Sequence, residues 1–297
     1  MPIDVHQHLW PAPFLGALRA RRRPPRLDGW TLALTGEPPF AVDPAAHDVD
    51  VRIEQALAEG LELVCVAPSA ALGIDRLPSA EADALAAAWL EGALALPAPF
   101  RAWACPTGPD ALQEAIAGGA IGLELAADRL AAPGALDRLE PLLATLEAAR
   151  RPLLVHPGPA GGASAGRPSW WAALVPYVGQ LHAAWWAWAD GGRARFPELR
   201  VCFAALAGLG PLHGERHRAR GGRDHAVDLL TFVETSTYGT RAIDAVVRVL
   251  GVDVVCHGSD RPYAAPVPAA LDPSARHALG TANPGRLLAP VLEEVPI

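Results

Sequence analysis

His6 and His8 stand two residues apart in the opening run Ile3-Asp4-Val5-His6-Gln7-His8. In an extended strand successive side chains alternate, so the two imidazoles share one face. Two imidazoles directed into one cavity make poor core filler and a good start for a metal site. A His-x-His pair alone also arises by chance, so its weight depends on donors elsewhere in the chain. Pro152-Leu153-Leu154-Val155-His156 is an apolar string ending in histidine. Val254-Val255-Cys256-His257-Gly258-Ser259-Asp260 is another, ending in aspartate. Taken singly, His156 also reads as a core or loop histidine, and Asp260 as a helix N-cap. Taken together, His6, His8, His156 and Asp260 are expected to hold one divalent ion, Zn2+ by preference, with an open position for water. Such an ion acidifies water and polarises a carbonyl.

Donors so far apart in the chain need a scaffold that gathers strand ends. Short β-rich runs occur near 2–9, 62–67, 100–105, 121–126, 152–156, 199–205, 230–235 and 252–257. Several are almost continuous in Val, Leu, Ile, Cys and Phe, as strands buried on both faces should be. Helical patterns fall at 79–96, 110–117, 135–149, 170–190 and 240–250. This alternation predicts an α/β fold, a (β/α)8 TIM barrel, whose chemistry collects at the C-terminal strand ends. The doubly wound alternative lacks a Gly-x-Gly-x-x-Gly after the first strand. A long proline-rich loop, 10–50, follows that strand and carries an arginine cluster from Arg19 to Arg26. It is expected at the barrel mouth as a lid or substrate wall, its arginines either solvated or binding carboxylate.

The chain has 297 residues, 51% hydrophobic and 19% charged, which excludes disorder and suffices for a large core. No internal boundary stands out, so residues 1–297 read as a single barrel domain. A net charge of −7 argues against nucleic acid as a partner. All 25 basic side chains are arginine. Without lysine there is no Schiff base, no lysine general base and no lysine carbamate bridging two metals. The N-terminus shows no secretory pattern, and Cys65, Cys105, Cys202 and Cys256 lie far apart in apolar runs, so reduced thiols and a cytoplasmic location are expected. The uncharged stretch 168–189 reads as a buried aromatic helix rather than a membrane span. Trp170, Trp171, Trp185, Trp186 and Trp188 fall there and suit packing or a homodimer contact.

The strings Asp4-Val5-His6-Gln7-His8, Leu153-Leu154-Val155-His156-Pro157 and Gly258-Ser259-Asp260-Arg261-Pro262 resemble the metal motifs of the amidohydrolase-related family. The nearest branch contains aminocarboxymuconate-semialdehyde decarboxylase. The likeness continues through 195–201, Gly208, Pro211 and Arg216, and ends at 283–288. It implies a metal-dependent barrel with His6, His8, His156 and Asp260 as ligands. Family members include decarboxylases, lactonases and other hydrolases of small carboxylated or cyclic compounds.

The pattern breaks at one position. The family carries a histidine at the end of the sixth strand, and Ala205 stands there in this chain. In the decarboxylase branch that histidine takes part in proton transfer, which alanine cannot do. Asp260 could serve as the base itself, His213 could swing in from the following loop, or the protein could bind ligand or metal without turnover. Arg261 and Arg216 are candidates to clamp a substrate carboxylate. Glu124 reads as a buried hydrogen-bonding residue or a ligand to a second metal, and Glu234 as a pocket-lining group. His257 should point to the face opposite Asp260. The leading expectation is a mononuclear metal-dependent hydrolase of a small lactone, amide or similar, carboxylated substrate. A metal-dependent non-oxidative decarboxylase is the first alternative and a silent metal- or ligand-binding protein the second.

Overall fold

The computed structural model describes residues 1–105, 108–223, 227–265, 267 and 269–294. Eight parallel strands succeed one another in chain order: β1 (Ile3–His8), β2 (Leu63–Ala67), β3 (Phe100–Ala104), β4 (Gly122–Ala126), β5 (Leu153–His156), β6 (Val201–Phe203), β7 (Thr231–Glu234) and β8 (Val255–Cys256). The first and last strands meet through Val5 N–H to His257 O at 3.0 Å and Asp260 N–H to His6 O at 3.0 Å. Helices between the strands complete a (β/α)8 barrel, the architecture expected from the alternation of apolar runs.

Period two sorts the strand residues into two environments. Cys65, Trp103, Leu154, Cys202, Phe232 and Cys256 belong to one buried cluster. Their neighbours Val64, Val66 and Ala102 pack instead with Leu85 and Trp89 of the helix Ser79–Leu94. Leu153, Val155, Val201 and Phe203 pack likewise under the helices Ala135–Ala148 and Pro176–Ala187. Both strand faces are therefore dry, which is why these runs are largely apolar. All four cysteines are free thiols, three of them buried.

Two segments depart from the repeat. The stretch 10–50 is more ordered than its prolines suggest. It contains the helix Ala12–Ala20 and a three-stranded antiparallel sheet, Arg26–Asp28, Thr31–Ala33 and Phe40–Ala41. The turn between the first two strands runs through Gly29 at φ +58°, a conformation that glycine takes without strain. Leu27, Leu32, Leu34 and Val42 anchor this small sheet in the core. The tryptophan-rich region is broken into Trp171–Leu174 and Pro176–Ala187 where Pro176 interrupts it. Trp188 is buried, Trp185 packs edge-on to Phe203 and Trp170 is exposed. Among the described residues, no helix is long and apolar enough to cross a membrane.

Candidate metal centre

The C-terminal ends of β1, β5 and β8 bring His6, His8, His156 and Asp260 together. One donor atom from each lies within 4.8 Å of every other. His6 Nε2 and His8 Nε2 are 3.2 Å apart, and Asp260 Oδ1 is 3.1 Å from His8 Nε2 and 3.8 Å from His6 Nε2. The three rings stand at 80–85° to one another with centroids 4.9–5.1 Å apart. Two ligands in tetrahedral positions about 2.0–2.1 Å from one Zn2+ would be about 3.3 Å apart, so this spacing fits a shared ion.

The other ring nitrogens decide where the lone pairs point. His6 Nδ1 is 3.2 Å from Glu234 Oε1, His8 Nδ1 is 3.0 Å from Ala67 O and His156 Nδ1 is 2.8 Å from Pro157 O. A carboxylate or carbonyl oxygen only accepts, so each Nδ1 carries the proton. In the neutral rings Nε2 is thereby the atom left to face a cation, as outer partners arrange for metal-bound histidines. The donor set and its orientation fit a divalent ion.

Charge is distributed unevenly over the four groups. Burial pushes His8 and His156 below the ordinary histidine range. Burial also opposes the charged form of His6, but the hydrogen bond and charge of Glu234, joined by the charges of Asp260 and Glu124, outweigh it and raise His6 to about 9. Burial disfavours the Asp260 carboxylate too, yet the hydrogen bond with His8 and the nearby imidazoles hold it below its usual value. Asp260 is the most open of the four, at 28% side-chain exposure.

The centre forms the floor of a cavity of about 570 Å³. Leu32, Leu34 and Phe40 of the 10–50 segment form one wall, and Tyr177 and Val178 part of another. Glu37 and Arg167 also line it. Several non-glycine residues around the cavity hold left-handed backbone: Ser69 at φ +88°, Ala205 at +47°, Thr237 at +50° and Asp260 at +58°. Such strain, of order 1–3 kcal/mol per residue, persists where surrounding structure fixes a site. At Ala205 it opens a run, since Leu206, Ala207, Gly208 and Leu209 are left-handed as well.

Several expected residues lie elsewhere. His213 is exposed and meets His182 edge-on at 4.9 Å, outside the cavity wall. Arg216 is exposed on the short helix Gly214–Ala219. Arg261 does not line the cavity, and its guanidinium pairs with Glu59. The left-handed turn at Asp260 separates the directions of these two neighbours. His257 sits 3.7 Å from Asp4 and away from the centre. Glu124 is buried, accepts from the Ala70 amide at 3.0 Å and is raised by burial to about 7. Its carboxylate is 3.7 Å from His156 Nδ1 and stands outside the four-donor group. Glu37 and Tyr177 line the cavity without any signal in the sequence, because the residues around them form no motif, and Tyr263 lines it directly after the string 258–262, which draws attention to Asp260 rather than to the tyrosine.

The fold and the four-donor group define a TIM barrel with a metal-binding site at its mouth. No family model matches the chain, and no curated protein matches it in sequence. Several solved structures share its fold. IDCase of Metarhizium anisopliae matches with a TM-score of 0.76 and 14% identity over 97% of each chain. A manganese complex of 5-carboxyvanillate decarboxylase from Novosphingobium aromaticivorans gives 0.73 and 16%, covering 97% of this chain and 96% of that one. The 4-oxalomesaconate hydratase of Rhodopseudomonas palustris gives 0.70 and 17%, covering 99% and 97%.

Proposed function

We propose that this protein is a metal-dependent non-oxidative decarboxylase of a small, planar carboxylic acid. The observation that carries the reading is the convergence of three oriented imidazoles and Asp260 on the floor of a cavity with largely apolar walls. His6, His8, His156 and Asp260 would hold the ion, with zinc first on donor type and manganese second on the fold relative that carries it. When bound, it supplies Lewis acidity toward a substrate oxygen. The largely apolar walls hold the ring, and the four donors at the floor, with Glu37 and Arg167 on the lining, handle charge. In the reaction the bond to the carboxylate carbon breaks, CO2 leaves, and the ring carbon keeps the electron pair and takes a proton. Asp260, ionised and partly open, relays that proton from solvent.

A hydrolytic reading has its own support. Ala205 lines the cavity where an imidazole is absent, and hydrolysis of a lactone or amide asks only for activated water and the Asp260 base. Product analysis separates the two. The metal-loaded protein should release CO2 from members of a panel of hydroxylated aromatic acids, and chelation should abolish it. Asp260→Asn should lower turnover by about 10²–10⁴-fold. Acid release from lactones or amides, with no CO2 from any acid, would overturn the decarboxylase in favour of the hydrolase.

A further inference from the structure

Strand β7 ends in a carboxylate that the chemistry above leaves unused. Glu234 is wholly buried, at 0% exposure. Its Oε1 accepts from His6 Nδ1 at 3.2 Å, the Ala205 amide at 2.7 Å and Ser236 Oγ at 2.6 Å. Its Oε2 accepts from the Ser236 amide at 2.7 Å. Gly258 leaves it room, since a Cβ there would fall 2.1 Å from Oε2.

A buried carboxylate is costly unless donors and a positive charge offset it. The four donors are present. Among the described residues no arginine pairs with Glu234, and the ion-pair partner it has is His6. The positive charge that Glu234 faces therefore lies on the His6 ring or on a cation at its far nitrogen. Carboxylate–histidine–metal arrangements have this form.

We propose that Glu234 is the positioning residue of the centre, presenting His6 Nε2 to the ion while its Oε1 also anchors the left-handed turn that begins at Ala205. The proposal rests on the metal reading above and adds to it a residue that touches neither ion nor substrate. One oxygen serves both tasks, so the backbone after β6 and the ring on β1 are held in register by a shared acceptor. Four of the five residues from 205 to 209 are not glycine, so the left-handed run needs outside restraint; Leu206 and Ala207 supply part of it by core burial, and the hydrogen bond from the Ala205 amide to Glu234 fixes its start.

The test is Co2+ binding to the purified full-length chain, read by chelator competition and by the visible spectrum of the bound ion. Glu234→Ala should raise Kd about 100-fold and Glu234→Gln, which keeps one acceptor oxygen, about 10-fold. Both should shift the visible bands, and hydrogen exchange of 205–209 should rise in Glu234→Ala. Arg195→Ala, which breaks an exposed pair with Asp137 and Glu140, should bind within twofold of the wild type. If both Glu234 variants bind within threefold of the wild type with unchanged spectra, the proposal fails. Should Glu234→Ala not fold, Glu234→Gln decides on the same thresholds. A wild-type protein that binds no Co2+ overturns the metal reading and this one together, whereas tight wild-type binding with unaltered variants overturns this one alone.

Discussion

Loading the centre with a divalent ion should expel a proton from His6, and the pH dependence of that release derives from the geometry. His8 and His156 are kept neutral by burial, whereas His6, against its own burial, is raised to about 9 by Glu234 first and by Asp260 and Glu124 after it. At pH 7.5 roughly 0.97 of the His6 rings are therefore protonated in the metal-free protein, falling to roughly 0.75 at pH 8.5 and 0.25 at pH 9.5. Each bound ion should displace that amount. Apparent affinity should rise about eightfold between pH 7.5 and 8.5 and level off above pH 10. Calorimetry in two buffers of different ionisation enthalpy measures the release directly. A water ionising on the ion contributes to wild type and Glu234→Gln alike, so their difference isolates His6. Stability carries the same signature. The folded value of about 9 lies above the ordinary 6.5, so this contribution is complete below pH 6.5 and is lost as pH rises through 9. It amounts to about 3 kcal/mol. The metal-free Tm should fall across pH 7.5–9, beyond the range in which Glu124 titrates near 7. The metal-loaded Tm should fall less. Equal proton release from wild type and Glu234→Gln, or flat affinity over that interval, would refute the account.

Other outcomes are set by the packing. Gly258→Ala places a methyl 2.1 Å from Glu234 Oε2, and should destabilise the fold by about 1–3 kcal/mol and weaken metal binding, checked by thermal denaturation with and without ion. His213→Ala and Arg216→Ala touch exposed side chains outside the cavity, and each should leave Kd for the ion and turnover within about twofold, given that surface changes seldom exceed ±0.5 kcal/mol.

The scaffold was legible because strands buried on both faces are mostly apolar, and several of the eight read almost continuously so. The four donors were legible because His6 and His8 share a strand face, while His156 and Asp260 close apolar runs. Direction was harder to read. Asp260 and Arg261 are adjacent, yet a left-handed backbone at Asp260 sends one to the ion site and the other to Glu59, and neither residue type announces that turn. Glu234 closes an apolar strand just as His156 does. Sequence could place it near the site but could not say that its partners would be a ring on β1 and an amide after β6, both distant in the chain. The 10–50 segment reads as irregular because its prolines mask three very short strands. Their pairing depends on one glycine turn and a few leucines rather than on a periodic pattern.

The floor of the cavity comes from strand ends locked into a closed sheet, and much of its wall from an excursion, 10–50, that the sheet does not need for closure. Heredity can therefore treat the two differently. Mutations in Glu37 or Phe40 remodel what is admitted without disturbing the donors beneath or the core-anchoring Leu32 and Leu34, so selection can exchange one compound for another while the reactive machinery is inherited intact. A library confined to those two codons is the natural starting point for redirecting this protein to a new substrate.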